Sequence, residues 1–310
     1  MWGIDLMVRN CRLPTRVTEF MDRERMDAIY EKLHQLQQWE TVGLFSGAFY
    51  ELIAAELADE DAAVASVALA FADFLTVEVN YHRRLAVLAD RDEMLVSDLQ
   101  SLAEKRRVNL EAIAETLASA PASNRKVKGL QHLLLAECYY HQRKTHSVVE
   151  HLRSAIECGL DHYLIHFALG YNIYALAVED FTIAGDEETS LAITDHIAFQ
   201  QYCLVAASAF EVSFSGTAFD AQVYWWMGHV LESIGMVDAA RDLHSHVAKA
   251  GGDLQHGDDD AAPYLSEFEE AAKAPRHLPE ISKQEIREAG QLLRGSFSLS
   301  EVLGYDPGDQ

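Results

Sequence analysis

The chain has 310 residues, with 49 acidic against 25 basic side chains and a formal net charge of −24. A field of that sign repels phosphate backbones and anionic lipid surfaces, so nucleic-acid and membrane-surface partners are disfavoured and a basic partner is favoured. Hydrophobic content of 49% is that of a folded chain, and Cys11, Cys138, Cys158 and Cys203 lie far apart, which fits reduced thiols in the cytoplasm better than a disulfide framework.

The N-terminal stretch lacks a basic start followed by an apolar run, so no secretory signal is read there. Only 6 prolines and 17 glycines, with much Ala, Leu and Glu, favour helix. Residues 20–39 carry Met26, Ile29, Tyr30, Leu33 and Leu36 at steps of three and four, which predicts an amphipathic helix. The same period predicts helices over 42–57 and 62–88. The apolar run 62–75 is interrupted by Asp73 and is too short to span a bilayer. Shorter helices are predicted over 94–103, from Leu95, Leu99 and Leu102, and over 110–117, from Ile113 and Leu117. Thr76–Tyr81 alternates weakly but sits inside a helical period, and no strand is predicted.

Residues 1–120 read as an N-terminal helical region. The stretch "APASNRKVKG", residues 120–129, combines proline, Ser-Asn and basic residues, so 121–128 is read as a linker. Residues 253–310 read as an acidic loop followed by helices over 264–273 and 283–293 and a frayed tail.

Between these regions, 129–252 holds internal similarity. Ala136 and Gly170 align at an offset of 34 residues, and Gly228 aligns with them after 24 additional residues, an insertion near 179–201. Bulky Leu135, Leu169 and Met227 precede the small residues, and Tyr139, Ile173 and Leu231 follow three later. Gly235 ends the first helix of the last copy, where Arg143 and Ala177 stand in the others. Ala240 and Ala155 are the small residues of second helices, with Val148 and Val247 as departures. A small side chain lets the second helix of a pair come close to the first. The second helix of the middle copy is delayed to about 198–211. Residues 44–58 carry Gly47 and Tyr50 at the spacing of a worn copy.

This pattern resembles the tetratricopeptide repeat. The resemblance implies an all-α fold of antiparallel helix hairpins stacked in a right-handed solenoid, with the first helices lining a concave surface. The closing proline of the family is missing in every copy, with Leu160 and Gly252 in its place. The implied lining is Glu137, Tyr140 and His141 in the first copy, Phe167, Tyr171 and Tyr174 in the second, and Trp225, His229 and Glu232 in the third. Trp226, about 100° around the helix from Trp225, is expected between pairs. No Lys or Arg lies among these positions, which argues against a carboxylate clamp. Aromatic rings with glutamates suit an apolar or basic peptide or helix of a partner protein.

Catalytic readings are weaker. Cys138-x-x-His141, Cys158-x-x-x-His162 and the His162/His166 pair offer zinc ligand types, but the repeat register separates them. No phosphate loop, dinucleotide fingerprint, nucleophile elbow or His-Glu-x-x-His occurs. The sequence reading is therefore a cytoplasmic, non-catalytic interaction module, an adaptor, chaperone-like or assembly protein, with no cofactor or metal. Two alternatives stay open: an enzyme or regulator whose activity lies in residues 1–120 with the repeats as a docking arm, and a self-associating structural subunit.

Overall fold

The computed structural model describes residues 23–38, 44–58, 65–89, 96–122, 124–184, 191–213 and 220–254. Among these residues the chain is almost entirely helical, with ten helices that pack in neighbouring pairs and one two-stranded hairpin. Contacts divide the chain into two compact units that meet in sequence at Asp161 and His162.

In the first unit, α1 (Arg23–Gln37) buries Met26, Ile29, Leu33 and Leu36, the positions marked by helical periodicity. It packs on α2 (Leu44–Ala58) and α3 (Ala65–Ala89). Thr76–Tyr81 lies inside α3, as its helical period predicts. Next, α4 (Val96–Ser119) pairs with α3 and merges the two short helices expected at 94–103 and 110–117. The polar stretch between them has no apolar period, yet Arg107 bonds Glu104 at 2.7 Å and Glu111 at 3.1 Å along one helix face. These local pairs support the helix across a turn that buries no apolar side chain.

α5 (Arg125–Tyr140) touches α2, α3, α4 and α6 (Thr145–Glu157). Half of the stretch read as a linker belongs to it. Asn124 caps its start by accepting from the Val127 amide at 2.8 Å, and Val127 is fully buried. Gln131 Nε2 donates to the Ala120 carbonyl at 3.0 Å and to that of Leu117, which ties α5 to the end of α4. The core between the helices is Phe49, Tyr50 and Ile53 from α2, Phe71 and Phe74 from α3, and Leu110 and Leu117 from α4. Burying each of the aliphatic and phenylalanine side chains is worth roughly 1.5–3 kcal/mol. Gly47 has no atom within 4 Å of where a Cβ would stand, so the glycine of the expected worn copy makes no close crossing.

The second unit begins with α7 (Tyr163–Phe181), capped by His162, whose Nδ1 accepts from the Leu164 amide at 3.3 Å. Two strands, β1 (Thr182–Ala184) and β2 (Leu191–Ile193), pair antiparallel with Thr182 opposite Ile193. They correct the prediction that no strand would form. Strands of three residues are too short to show an alternating pattern. α8 (His196–Ser213) is the delayed second helix, capped by Asp195, which accepts from the amides of Ile197 and Ala198, both at 3.0 Å. α9 (Asp220–Ser233) packs on α7, α8 and α10 (Val237–Leu254). α10 runs to Leu254, two residues into the stretch read as an acidic loop from 253. The helices expected over 264–273 and 283–293 lie outside the described residues.

The crossings of two pairs depend on glycine. A Cβ on Gly170 would stand 3.0 Å from the Ala206 carbonyl oxygen and from the Phe210 ring of α8. A Cβ on Gly228 would overlap the His244 ring of α10. The turns of α5–α6 and α9–α10 also match. Arg143 and Gly235 both have positive φ, 57° and 87°. Their amides bond three residues back, to Tyr140 and Glu232, and the next amides bond five back, from Lys144 to Tyr139 and from Met236 to Leu231. This is the Schellman pattern of a helix end. It recurs at Gly159 after α6. The chain separation between Arg143 and Gly235 equals that between Ala136 and Gly228.

Candidate functional site

The expected lining residues fall into two groups, one in each unit. In the first unit, Tyr140 is 41% exposed, while Glu137 and His141 are largely buried in a polar network. The network centres on Glu78 of α3, a carboxylate with 0% exposure. Arg106 of α4 grips it with both arms of its fork: Nε donates to Oε1 at 2.8 Å and Nη2 donates to Oε2. The Arg106 guanidinium carbon also lies 4.3 Å from the centre of the Tyr81 ring.

Arg106 Nη2 donates to His141 Nδ1 at 2.9 Å, and Tyr50 Oη lies 3.2 Å from His141 Nε2. Arg106 Nη2 also lies 3.3 Å from Nε2; guanidinium has no acceptor, so the ring nitrogen that takes its proton does so with a lone pair. Glu137 Oε2 lies 3.7 Å from that Nε2, and His82 Nε2 lies 3.7 Å from Glu78 Oε2. Helices α2, α3 and α4 and the C-terminal end of α5 therefore meet at one set of hydrogen bonds.

Burial and charge split the two glutamates. Burial alone would raise Glu78, but His141, His82 and Arg106 outweigh it and hold the carboxyl down at about 2. Burial, with the Glu78 charge beside it, pushes Glu137 up to about 8 against the pull of Arg106. Burial lowers His141 to about 4, with Glu78 opposing and Arg106 and His82 assisting. Burial, Glu78 and Glu137 raise the Tyr50 phenol well above its usual range. At neutral pH the network therefore holds one carboxylate against one guanidinium, with Glu137 protonated and His141 neutral. Its charges cancel internally, and its chemistry is that of a cross-helix tie.

The second unit carries an aromatic strip. Trp226 of α9 meets Tyr171 of α7 edge-on, with ring centres 4.9 Å apart, and Tyr174 at 6.4 Å. All three rings are half-buried. The Tyr174 hydroxyl lies 3.0 Å from Ser233 Oγ, and burial raises its pKa, with Cys203 and Glu232 adding to the rise and the Ser233 bond opposing it. Trp226 thus packs from one helix pair onto another, as its position predicts. Trp225 differs from expectation: its ring stacks edge-on against His229 at 4.3 Å and lies 5.7 Å from His244 of α10, inside its own pair. The His244 ring fills the space beside Gly228, and Trp225 covers it.

Phe167 is also corrected. It is 5% exposed and packs on Phe210 of α8 with ring centres 5.6 Å apart, so it belongs to the α7–α8 core. Glu232 is half-exposed beside the tyrosine end of the strip. The arrangement offers amphipathic rings beside a carboxylate, a combination that attracts apolar groups and cations.

Sequence reasoning missed Tyr50, Glu78, His82 and Arg106. One signal was present: Glu78 and His82 are i and i+4, and Glu78 falls among the apolar positions of α3. Arg106 carries no such signal, because its neighbours on α4 are also charged. Cys138 and Cys203 are buried, and burial raises both thiols, which leaves them poor nucleophiles. Among the described residues no three His, Cys, Asp or Glu side chains stand together to hold a metal ion, and no helix is long and apolar enough to cross a membrane. Comparison with protein-family models, with curated proteins and with solved structures finds no match to this chain.

Proposed function

We propose that the chain is a non-catalytic interaction module, an adaptor or assembly protein built on tetratricopeptide-like hairpins, which holds an apolar, basic segment of a partner protein. The observation that carries this reading is the strip of Tyr171, Tyr174 and Trp226, in which the tryptophan ring meets both tyrosines and all three keep part of their surface open. Rings of this kind dominate binding energy where they line a surface. Charge supports a basic occupant: residues 162–254 hold 12 acidic and 2 basic side chains. The matched turns at Arg143 and Gly235 and the glycine crossings at Gly170 and Gly228 support the repeat ancestry. A cytoplasmic location is part of the same reading, in keeping with the free thiols of Cys138, Cys158 and Cys203.

The test is fluorescence polarisation with a labelled amphipathic helix of Leu and Lys, and a matched peptide of Leu and Glu as control. The basic peptide is expected to bind the wild-type chain and the acidic one to fail. Tyr171→Ala and Trp226→Ala should each weaken binding about fivefold to thirtyfold, the 1–2 kcal/mol typical of an aromatic anchor, while far-ultraviolet circular dichroism stays unchanged. Equal binding by wild type and both variants would reject the strip as the contact surface.

A further inference from the structure

The strip's acidic surroundings contrast with one stretch of the same chain. Residues 273–294 hold five basic side chains, Lys273, Arg276, Lys283, Arg287 and Arg294, against three acidic ones. In a chain of net charge −24 this is a local reversal of sign. Apolar Ile286, Ala289, Leu292 and Leu293 recur there at steps of three and four, with Phe297 and Leu299 just beyond. The stretch combines apolar and cationic side chains, the chemistry that the strip suits.

The tether that joins it to α10 is long enough to reach across a helix. Residue 273 is separated from Leu254, the last residue of α10, by 18 intervening residues. Those residues span up to roughly 60 Å when extended, against roughly 27 Å for the whole length of α10. The intervening stretch carries Asp258, Asp259, Asp260, Glu267, Glu269 and Glu270, which an acidic surface repels. Charge thus disfavours contact by the tether and favours contact by the basic stretch at its far end.

We propose that the resident occupant of the Tyr171–Tyr174–Trp226 strip is the chain's own segment 273–300, which a partner's basic segment must displace. This rests on the reading of the strip as a docking surface. A tether of this length gives an effective concentration of about 1 mM. A segment that binds in trans at about 10 μM would then occupy its site in cis about a hundred times more often than not. The partner's apparent affinity falls by the same factor, so the segment sets a threshold for capture.

The test compares the full-length wild-type chain with the full-length variant Lys283→Glu/Arg287→Glu/Arg294→Glu. The probe is a labelled synthetic peptide of residues 273–300, read by polarisation. The variant is expected to bind the probe tenfold to a hundredfold more tightly than wild type, because its own segment no longer competes. Adding Trp226→Ala to the variant should remove that gain. Equal binding to wild type and variant, still lost with Trp226→Ala, overturns the resident segment and leaves the docking surface standing. No binding to either chain, by this probe or by the Leu-Lys helix, overturns both. Light scattering supplies the remaining outcome: a wild-type dimer that the triple variant converts to monomer assigns the segment to a second copy and overturns occupancy within one chain.

Discussion

Gly228 faces His244 so closely that a methyl group on its Cα would overlap the imidazole at Nε2 and Cδ2. The ring has no easy escape, because it is 1% exposed and covered by Trp225 and His229. Gly228→Ala is expected to destabilise the chain by about 1–3 kcal/mol through overpacking, even though alanine gains about 1 kcal/mol of helix propensity over glycine. In His244→Ala the obstruction is gone, so the same Gly228→Ala change should become neutral or stabilising. A double-mutant cycle by urea unfolding measures this coupling. Additive effects of the two changes would show that the crossing does not depend on the missing Cβ.

Arg143 turns the α5–α6 hairpin with φ of 57°, in the conformation that glycine adopts at Gly159 and Gly235. The left-handed region costs a side-chain-bearing residue about 1–2 kcal/mol, and glycine's greater unfolded-state entropy returns part of that. Arg143→Gly is therefore expected to raise stability by about 0.5–1 kcal/mol, while Gly235→Ala lowers it by about 1 kcal/mol. Thermal unfolding of the two variants checks both signs. A destabilised Arg143→Gly would mean that the arginine side chain contributes more than its backbone strain costs.

The Glu78–Arg106 pair predicts strong asymmetry between breaking it and replacing it. Arg106→Ala leaves a buried carboxylate without its main partner and should cost about 3–5 kcal/mol. Arg106→Lys should recover little, since an ammonium cannot reproduce the two-armed grip or the stacking on Tyr81. Glu78→Leu/Arg106→Met should be less destabilising than Arg106→Ala, because it leaves no buried charge. Urea unfolding of the three variants ranks them. If the double replacement proves the worst, the network contributes more than charge compensation.

Legibility in the sequence tracked the range over which each feature acts. The period of Met26, Ile29, Leu33 and Leu36 is local, and all four are buried. Gly170 and Gly228 were legible because a missing side chain within an apolar run needs a close neighbour. Gly47 looked the same in sequence, yet open space surrounds it. The network was illegible because Arg106 lies 28 residues from Glu78 and 35 from His141, and only tertiary packing joins them. Trp225 and Trp226 were legible as an aromatic pair. Which of them would turn toward His244 depends on the crossing of α9 and α10, which no spacing reveals.

Glu137 provides a pH test of the network. Its carboxyl is raised from an ordinary 4.5 to about 8, first by burial and then by the Glu78 charge, so the folded chain holds this proton more tightly than the unfolded chain. The stability that comes from this proton is fully present below pH 4.5 and is lost as pH rises through 8. The groups that face it act in different directions: Arg106 draws the pKa down, and His141, lowered to about 4, is neutral throughout the alkaline range. Wild type should therefore lose roughly 2–3 kcal/mol between pH 6 and 9, at about 1.4 kcal/mol per unit over the part below the folded pKa. Glu137→Gln, which cannot ionise, should flatten that slope. On the acid side the signs reverse. His141 contributes stability above 6.5 that falls away as pH drops through 4, and Glu78 contributes stability above 4.5 that falls away through 2. Both losses should persist in Glu137→Gln. Urea midpoints measured across the range separate the two arms, and an alkaline slope unchanged by Glu137→Gln would place the proton on another group.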